Sequence, residues 1–93
     1  MSEVIDLLRQ LIRNRCVNDG AEDSGHEARS VATLVDFFGL EGEVFEPAPG
    51  RQSLIYRVEG SDPSAPSLAL LPHLDVVPAD PSGWSVDSFA AEI

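Results

Sequence analysis

The first apolar positions of the chain recur with the spacing of an amphipathic helix. Within residues 3–15 they fall at i, i+1, i+4, i+7 and i+8, which places them along one face of a helix. They are Val4, Ile5, Leu8, Leu11 and Ile12. Ser2 comes just before them and can accept a hydrogen bond from an amide of the first turn. The pattern predicts a first helix over residues 3–15, capped by Ser2.

A turn-rich segment over residues 14–25 precedes a second helical pattern. Ser24 and Glu27 have the spacing of a capping box, in which each side chain bonds the other residue's amide. Gly39 is suited to the left-handed residue that ends a helix. We therefore predict a helix that begins near Ser24, ends at about Phe38 and buries one apolar stripe. The stripe consists of Ala28, Val31, Ala32, Val35 and Phe38.

The second half of the chain has the patterns of strands. Residues 43–46 and 53–59 alternate apolar and polar positions, as half-buried strands do, and residues 47–50 end the first of them. Residues 68–71 are continuously apolar, which is typical of a central strand covered on both faces. This order predicts an α/β fold with two N-terminal helices packed on a mixed β-sheet. Residues 89–93 read as a strand without a partner, which indicates a sequence that has been cut short.

Composition narrows the classes of function. A chain of 93 residues makes at most one domain, and 43% hydrophobic with 24% charged residues is ordinary for a globular protein. The net charge of −10 disfavours binding to nucleic acid or to an anionic membrane surface. No apolar run approaches a membrane span of about 20 residues. The single cysteine, Cys16, is expected to be a buried structural thiol in a cytoplasmic protein.

The clearest candidate chemistry follows the apolar run at residues 68–71. In an extended segment His73 and Asp75 project to the same side, beyond the carboxyl end of the predicted strand, where open α/β sheets place ligands. A neutral imidazole binds a metal through one nitrogen, while a carboxylate at the other nitrogen fixes the tautomer. The spacing alone is weak evidence, because a strand cap at His73 and a turn at Asp75 give the same pattern. Elsewhere, His26, Asp80 and Asp87 are interpreted as surface or turn residues.

The sequence around this pair strengthens the metal interpretation. The segment LALLPHLDVVPADPSGWSVDSFAAEI resembles the di-zinc metallohydrolases related to aminoacylase, acetylornithine deacetylase, succinyl-diaminopimelate desuccinylase and glutamate carboxypeptidase, which form metallopeptidase family 20. In that family an apolar strand leads to a G-H-x-D-V-V-P segment, then to a loop with a tryptophan and a P-F pair. Pro72 stands where glycine or serine is usual, and Ser88 stands where proline is usual. The residues Cys16-Val17-Asn18 resemble, more loosely, a T-V-N element of the same family.

The resemblance implies a partial zinc-exopeptidase-like catalytic domain, with residues 1–93 as its incomplete N-terminal part. By position, His73 matches a zinc ligand and Asp75 matches the catalytic-site aspartate that orients its imidazole. The complete site would hold two Zn²⁺ ions, with Co²⁺ or Mn²⁺ as substitutes, and would hydrolyse an amide bond of an N-acyl amino acid or small peptide. The resemblance is also compatible with a homodimer of the complete protein, although the sequence itself does not determine the oligomeric state.

The remaining ligands and the general base would follow residue 93, so we expect the isolated chain to be inactive and to bind metal weakly at most. A second interpretation stays open at this point. The chain would then be a non-catalytic α/β binding or interaction module derived from the same fold, with its final strand as the contact edge.

Overall fold

The computed structural model describes residues 2–39 and 41–93, and its elements confirm a small α/β arrangement. Helices α1 (Glu3–Arg13) and α2 (Ala28–Phe38) are followed by strands β1 (Glu43–Ala48) and β2 (Arg51–Ile55) and by a short 3₁₀ helix at Pro81–Gly83. Helix α2 contacts both α1 and β2, so it connects the helical part of the chain to the sheet.

Helix α1 begins as predicted and ends two residues early. The Ser2 Oγ accepts a hydrogen bond from the Ile5 amide at 3.3 Å, which confirms the predicted cap. Arg15 has a φ of 52°, a left-handed conformation that cannot continue a right-handed helix. The apolar face of α1 is only partly covered, since Val4 is 75% exposed and Leu8 is 54% exposed, whereas Leu11 and Ile12 are half-buried.

The predicted capping box at the start of α2 is wrong. The helix starts at Ala28, and its cap residue Glu27 makes no capping hydrogen bond with its side chain. The Ser24 Oγ donates to the Ala21 carbonyl oxygen at 2.8 Å instead. Gly25 and the residue after it both have positive φ angles, which carry Ser24 away from the helix axis. The carboxylate of Glu27 is then free to pair with the guanidinium of Arg51 on β2.

The end of α2 is confirmed, and its apolar stripe is only partly buried. Gly39 follows the helix with a φ of 62°, the left-handed conformation expected of a C-cap glycine. Val31 is 3% exposed, whereas Val35 and Phe38 are 40% and 47% exposed. One turn of the helix therefore carries most of its packing.

The two strands form an antiparallel hairpin with ends that differ from the prediction. Glu43 pairs with Ile55 and Phe45 pairs with Ser53, and the register becomes irregular between Phe45 and Ala48. Pro47 lies in that interval and cannot donate to the ladder. The hairpin confirms that both predicted strands exist. Strand β1 runs to Ala48 instead of residue 46, and β2 spans Arg51–Ile55 instead of residues 53–59.

The predicted third strand at residues 68–71 is not formed. In the described ranges these residues join no ladder, and Leu68, Leu70 and Leu71 are 84%, 79% and 94% exposed. A central strand needs a hydrogen-bonded neighbour on each side, so an apolar run alone does not make one. Residues 89–93 form no strand either. The carbonyl oxygens of Ala90 and Ala91 instead accept hydrogen bonds from Arg13 and Arg9 of α1, each at 2.9 Å.

The chain is more open than a compact protein of its mass. Its accessible surface is 7352 Å², against about 5,200 Å² expected for a folded monomer of 10.0 kDa. The radius of gyration is 15.7 Å, against about 12 Å for a compact domain of this length. Of the described apolar side chains, Cys16 and Val31 are the buried ones. Neither described helix combines the length and the apolar character needed to cross a bilayer.

Cys16 is the buried structural thiol that the sequence predicted. Its side chain is 1% exposed, and its sulfur lies 3.4 Å from the His26 carbonyl oxygen and 3.2 Å from the Ser30 hydroxyl oxygen. The residue therefore ties the loop after α1 to the first turn of α2. This tie matters for the candidate site, because the next two residues of the loop carry one side of it.

Candidate metal-ligand site

The site is assembled by an isolated parallel bridge between the loop after α1 and the segment that contains His73. Val17 pairs with Val76. The Asn18 amide donates to the Val76 carbonyl oxygen at 2.8 Å, and the Val76 amide donates to the Cys16 carbonyl oxygen at 2.9 Å. Because Cys16 is buried in the core, the bridge fixes the position of residues 75–76 relative to the helices.

The structure brings His73 and Asp75 into contact. The Nδ1 atom of His73 lies 2.7 Å from the backbone oxygen of Asp75 and 3.1 Å from its carboxylate Oδ1. Both partners are acceptors, so Nδ1 carries the hydrogen and donates to them. In the neutral ring the lone pair then belongs to Nε2. The side chain of His73 is 83% exposed, so this lone pair is accessible to a metal ion from solvent.

Asp75 is held by a second donor as well. Its Oδ2 atom accepts a hydrogen bond from the Asn18 Nδ2 at 2.9 Å, and the side chain is 31% exposed. The hydrogen bond from the Asn18 amide is the largest influence and lowers the pKa of Asp75; burial opposes it by less, and the contact with His73 lowers the pKa further. The carboxylate therefore stays ionised and accepts from both neighbours. Sequence reasoning did not single out Asn18 as a site residue, although the Cys16-Val17-Asn18 element contains it.

The described residues provide one candidate metal ligand, His73, and the carboxylate that orients it, but they do not form a complete metal site. Residues 2–39 and 41–93 contain no group of three or more histidine, cysteine, aspartate or glutamate side chains that could hold a metal ion. Both carboxylate oxygens of Asp75 are engaged by His73 and Asn18, which suits a supporting role rather than direct ligation. The Nε2 atom of His73 is thus the donor that this segment offers.

The acidic residues further along have the local roles that the sequence predicted. Asp80 accepts a hydrogen bond from the Ser82 amide at 3.0 Å and caps the 3₁₀ helix. Asp87 accepts from the Phe89 amide at 2.9 Å and forms an exposed ion pair with Arg15 at 3.2 Å. Both carboxylates are engaged in turns and are separate from the candidate site.

The lowered pKa of Asp75 predicts a pH-dependent contribution to stability. The folded state favours the ionised carboxylate, so its contribution is present above the unfolded pKa of about 3.9 and is lost as the pH falls through the folded value. We expect Asp75→Asn to be less stable than the native chain at neutral pH. The difference should disappear in acid, where Asp75 is protonated. Denaturant unfolding of both chains across this range measures it, and a difference that does not change with pH would contradict the assignment.

Comparison with known proteins gives short, local matches to one group of relatives. The chain is 46% identical over 41 residues to the N-fatty-acyl-amino acid synthase/hydrolase PM20D1 of Bos taurus, a match that covers 44% of the chain and 8% of that protein. It is 38% identical over 58 residues to the Homo sapiens protein of the same name, covering 62% of the chain and 11% of that protein. The Xenopus tropicalis protein is 44% identical over 43 residues, covering 46% of the chain and 8% of that protein.

The similarity to these relatives supports a resemblance at the level of an enzyme family only. PM20D1 belongs to metallopeptidase family 20, so the matches support a resemblance to a hydrolase-type enzyme family over part of the chain. The matched segments span about a tenth of the length of the curated relatives. No family model matches the chain, and no solved structure matches it significantly.

Proposed function

We propose that residues 1–93 form the N-terminal part of the catalytic domain of a zinc-dependent amidohydrolase of the metallopeptidase family 20 type. The observation that carries the proposal is the contact between His73 Nδ1 and Asp75, which directs the lone pair of Nε2 to solvent. The local similarity to proteins named N-fatty-acyl-amino acid synthase/hydrolase supports the same class. An N-acyl amino acid is therefore the proposed substrate, with a small peptide as the related case.

In this proposal His73 binds Zn²⁺ through Nε2, and Asp75 keeps Nδ1 protonated and increases the basicity of the ring. A bound zinc ion supplies an activated water and polarises the amide carbonyl. A second zinc ion, or Co²⁺ or Mn²⁺ in its place, belongs to the complete site, and its ligands would come from residues outside this chain. The isolated chain is then inactive, and its metal affinity is that of one supported imidazole.

The test uses the polypeptide encoded by the complete reading frame that contains residues 1–93. We expect it to hydrolyse N-acyl amino acids in a zinc-dependent manner, and we expect His73→Ala to abolish the activity. Asp75→Asn should lower zinc affinity or activity by about 10- to 100-fold, the usual effect of removing the group that orients a ligand. Metal content and steady-state hydrolysis are the measurements.

His26→Ala is the matched control, because His26 is also exposed and lies outside the candidate site. It should leave zinc content and hydrolysis unchanged. A complete protein that binds no zinc and hydrolyses no N-acyl amino acid would contradict the proposal. That outcome would favour a non-catalytic α/β binding module, whose exposed apolar residues 68–71 would then be the first surface to examine.

A further inference from the structure

The carboxylate of Asp75 has one oxygen for each of two neighbours. Oδ1 lies 3.1 Å from His73 Nδ1, and Oδ2 accepts from Asn18 Nδ2 at 2.9 Å. A carboxylate attached by two single bonds can rotate, so a single contact to an exposed imidazole does not fix its orientation. The second contact, on the opposite oxygen, removes that freedom.

Asn18 is itself held in a defined orientation. Its Oδ1 accepts a hydrogen bond from the Gly20 amide at 3.0 Å. Its Nδ2 faces Asp75, which can only accept. The two ends of the amide are thus distinguished by their partners, and a flipped amide would place two acceptors against each other.

The backbone adds a second constraint. The Asn18 amide donates to the Val76 carbonyl oxygen at 2.8 Å, so the residue that bonds the Asp75 side chain is also bridged to the residue after Asp75. The backbone of Asn18 therefore fixes the position of the Asp75 backbone, and its side chain fixes the rotation of the Asp75 carboxylate. Cys16, at the other end of the bridge, is buried and connects this arrangement to α2.

We propose that Asn18 is a positioning residue for the His73 ligand, which orients the Asp75 carboxylate so that it holds the imidazole in the Nδ1–H tautomer. The purpose of this arrangement rests on the proposed function, but the arrangement itself belongs to the metal-free chain. Asn18 does not touch a metal or a substrate in this proposal. It acts through the Asp75 carboxylate, whereas the backbone oxygen of Asp75, 2.7 Å from His73 Nδ1, remains as an acceptor without it. The loss of Asn18 should therefore shift part of the His73 population from the Nδ1–H to the Nε2–H tautomer.

The test measures the imidazole nitrogen shifts of His73 by NMR in the metal-free chain at about pH 8.5, where an ordinary imidazole is neutral. The native chain should show mainly the Nδ1–H tautomer. In Asn18→Leu the tautomer ratio should move towards that of an N-acetylhistidine amide reference in the same buffer. Asn18→Asp, which keeps the shape and places a carboxylate against Asp75, should give the same shift and serves if the leucine variant does not fold.

Asn14→Leu is the matched control. Asn14 Nδ2 donates to the hydroxyl oxygens of Ser30 and Thr33 at 3.2 and 2.9 Å, so this variant also loses side-chain hydrogen bonds between packed segments, away from His73. If the general loss of such hydrogen bonds were enough to change the tautomer ratio of His73, Asn14→Leu would change it as well. We expect the tautomer ratio of His73 to stay native in Asn14→Leu.

The outcomes separate this inference from the proposed function. A native tautomer ratio in folded Asn18→Leu and Asn18→Asp would overturn the positioning role, whatever the complete protein does with zinc. A shifted ratio in both, with an unchanged ratio in Asn14→Leu, would support it. That result would stand even if the complete protein proved to bind no zinc, in which case only the proposed function would fail.

Discussion

Replacing Glu27 with alanine is expected to lower the midpoint of thermal unfolding of the chain by roughly 10 °C. Glu27 is 8% exposed, and its carboxylate accepts three hydrogen bonds from Arg51, at 2.8 to 3.1 Å. Such forked, charge-assisted pairs are among the stronger polar contacts in proteins. The variant leaves the guanidinium of Arg51 without its partner, while the hydrogen bond from the Ala28 amide to the Gly50 carbonyl oxygen, at 3.1 Å, still joins the start of α2 to the hairpin.

The control for this variant is Glu59→Ala. Glu59 also pairs with an arginine, Arg57, at 3.7 Å, but the two side chains are 89% and 87% exposed. Solvent screens such a pair, so we expect a change of less than about 4 °C. Equal losses in the two variants, measured by circular dichroism melts in one buffer, would show that the Glu27–Arg51 pair does not connect the helix to the hairpin.

The second large effect is expected at Gly25, which has a φ of 87°. A Cβ atom added there would lie 2.7 Å from both Arg51 Nε and Glu27 Oε1, inside the same ion pair. Gly25→Ala therefore combines backbone strain with a steric clash, and we expect a loss of about 3 kcal/mol in the free energy of unfolding. Chemical denaturation of the two chains measures this loss.

Gly20→Ala separates the two causes. Gly20 has nearly the same φ, 92°, but an added Cβ meets nothing within 4 Å. This variant should lose only the strain, about 1 to 2 kcal/mol. If both glycine variants lost the same amount, the space around the Glu27–Arg51 pair would not be limiting.

The parts of the fold that depend on nearby residues could be predicted from the sequence. The periodicity of α1 and its Ser2 cap, the glycine that ends α2 and the alternation of the hairpin are all decided within a few residues. The contact between His73 and Asp75 belongs to the same category, because the two residues are two positions apart. Whether this pair binds zinc stays a prediction.

The parts that failed depend on distant partners. Glu27 and Arg51 are 24 positions apart, and their pairing replaced a capping box that the local spacing favoured. Residues 68–71 have the composition of a central strand, but a strand exists only where neighbours accept its hydrogen bonds. Asn18 and Asp75 are 57 positions apart, so the local pattern around either residue did not indicate their contact.

The single bridge between Val17 and Val76 also determines how often the candidate site exists. With the helices and the hairpin in place, it closes the stretch of about twenty residues between the end of β2 and Val76 without a neighbouring rung on either side, and such a closure costs roughly 3 kcal/mol of chain entropy. The bridge can therefore open while the helices and the hairpin persist. In the proposed function a metal ion at His73 would bind the closed population, so its apparent dissociation constant would be the intrinsic value divided by the fraction of chains in which the bridge is closed. Contacts that hold residues 73–76 in place would raise metal affinity without touching the metal.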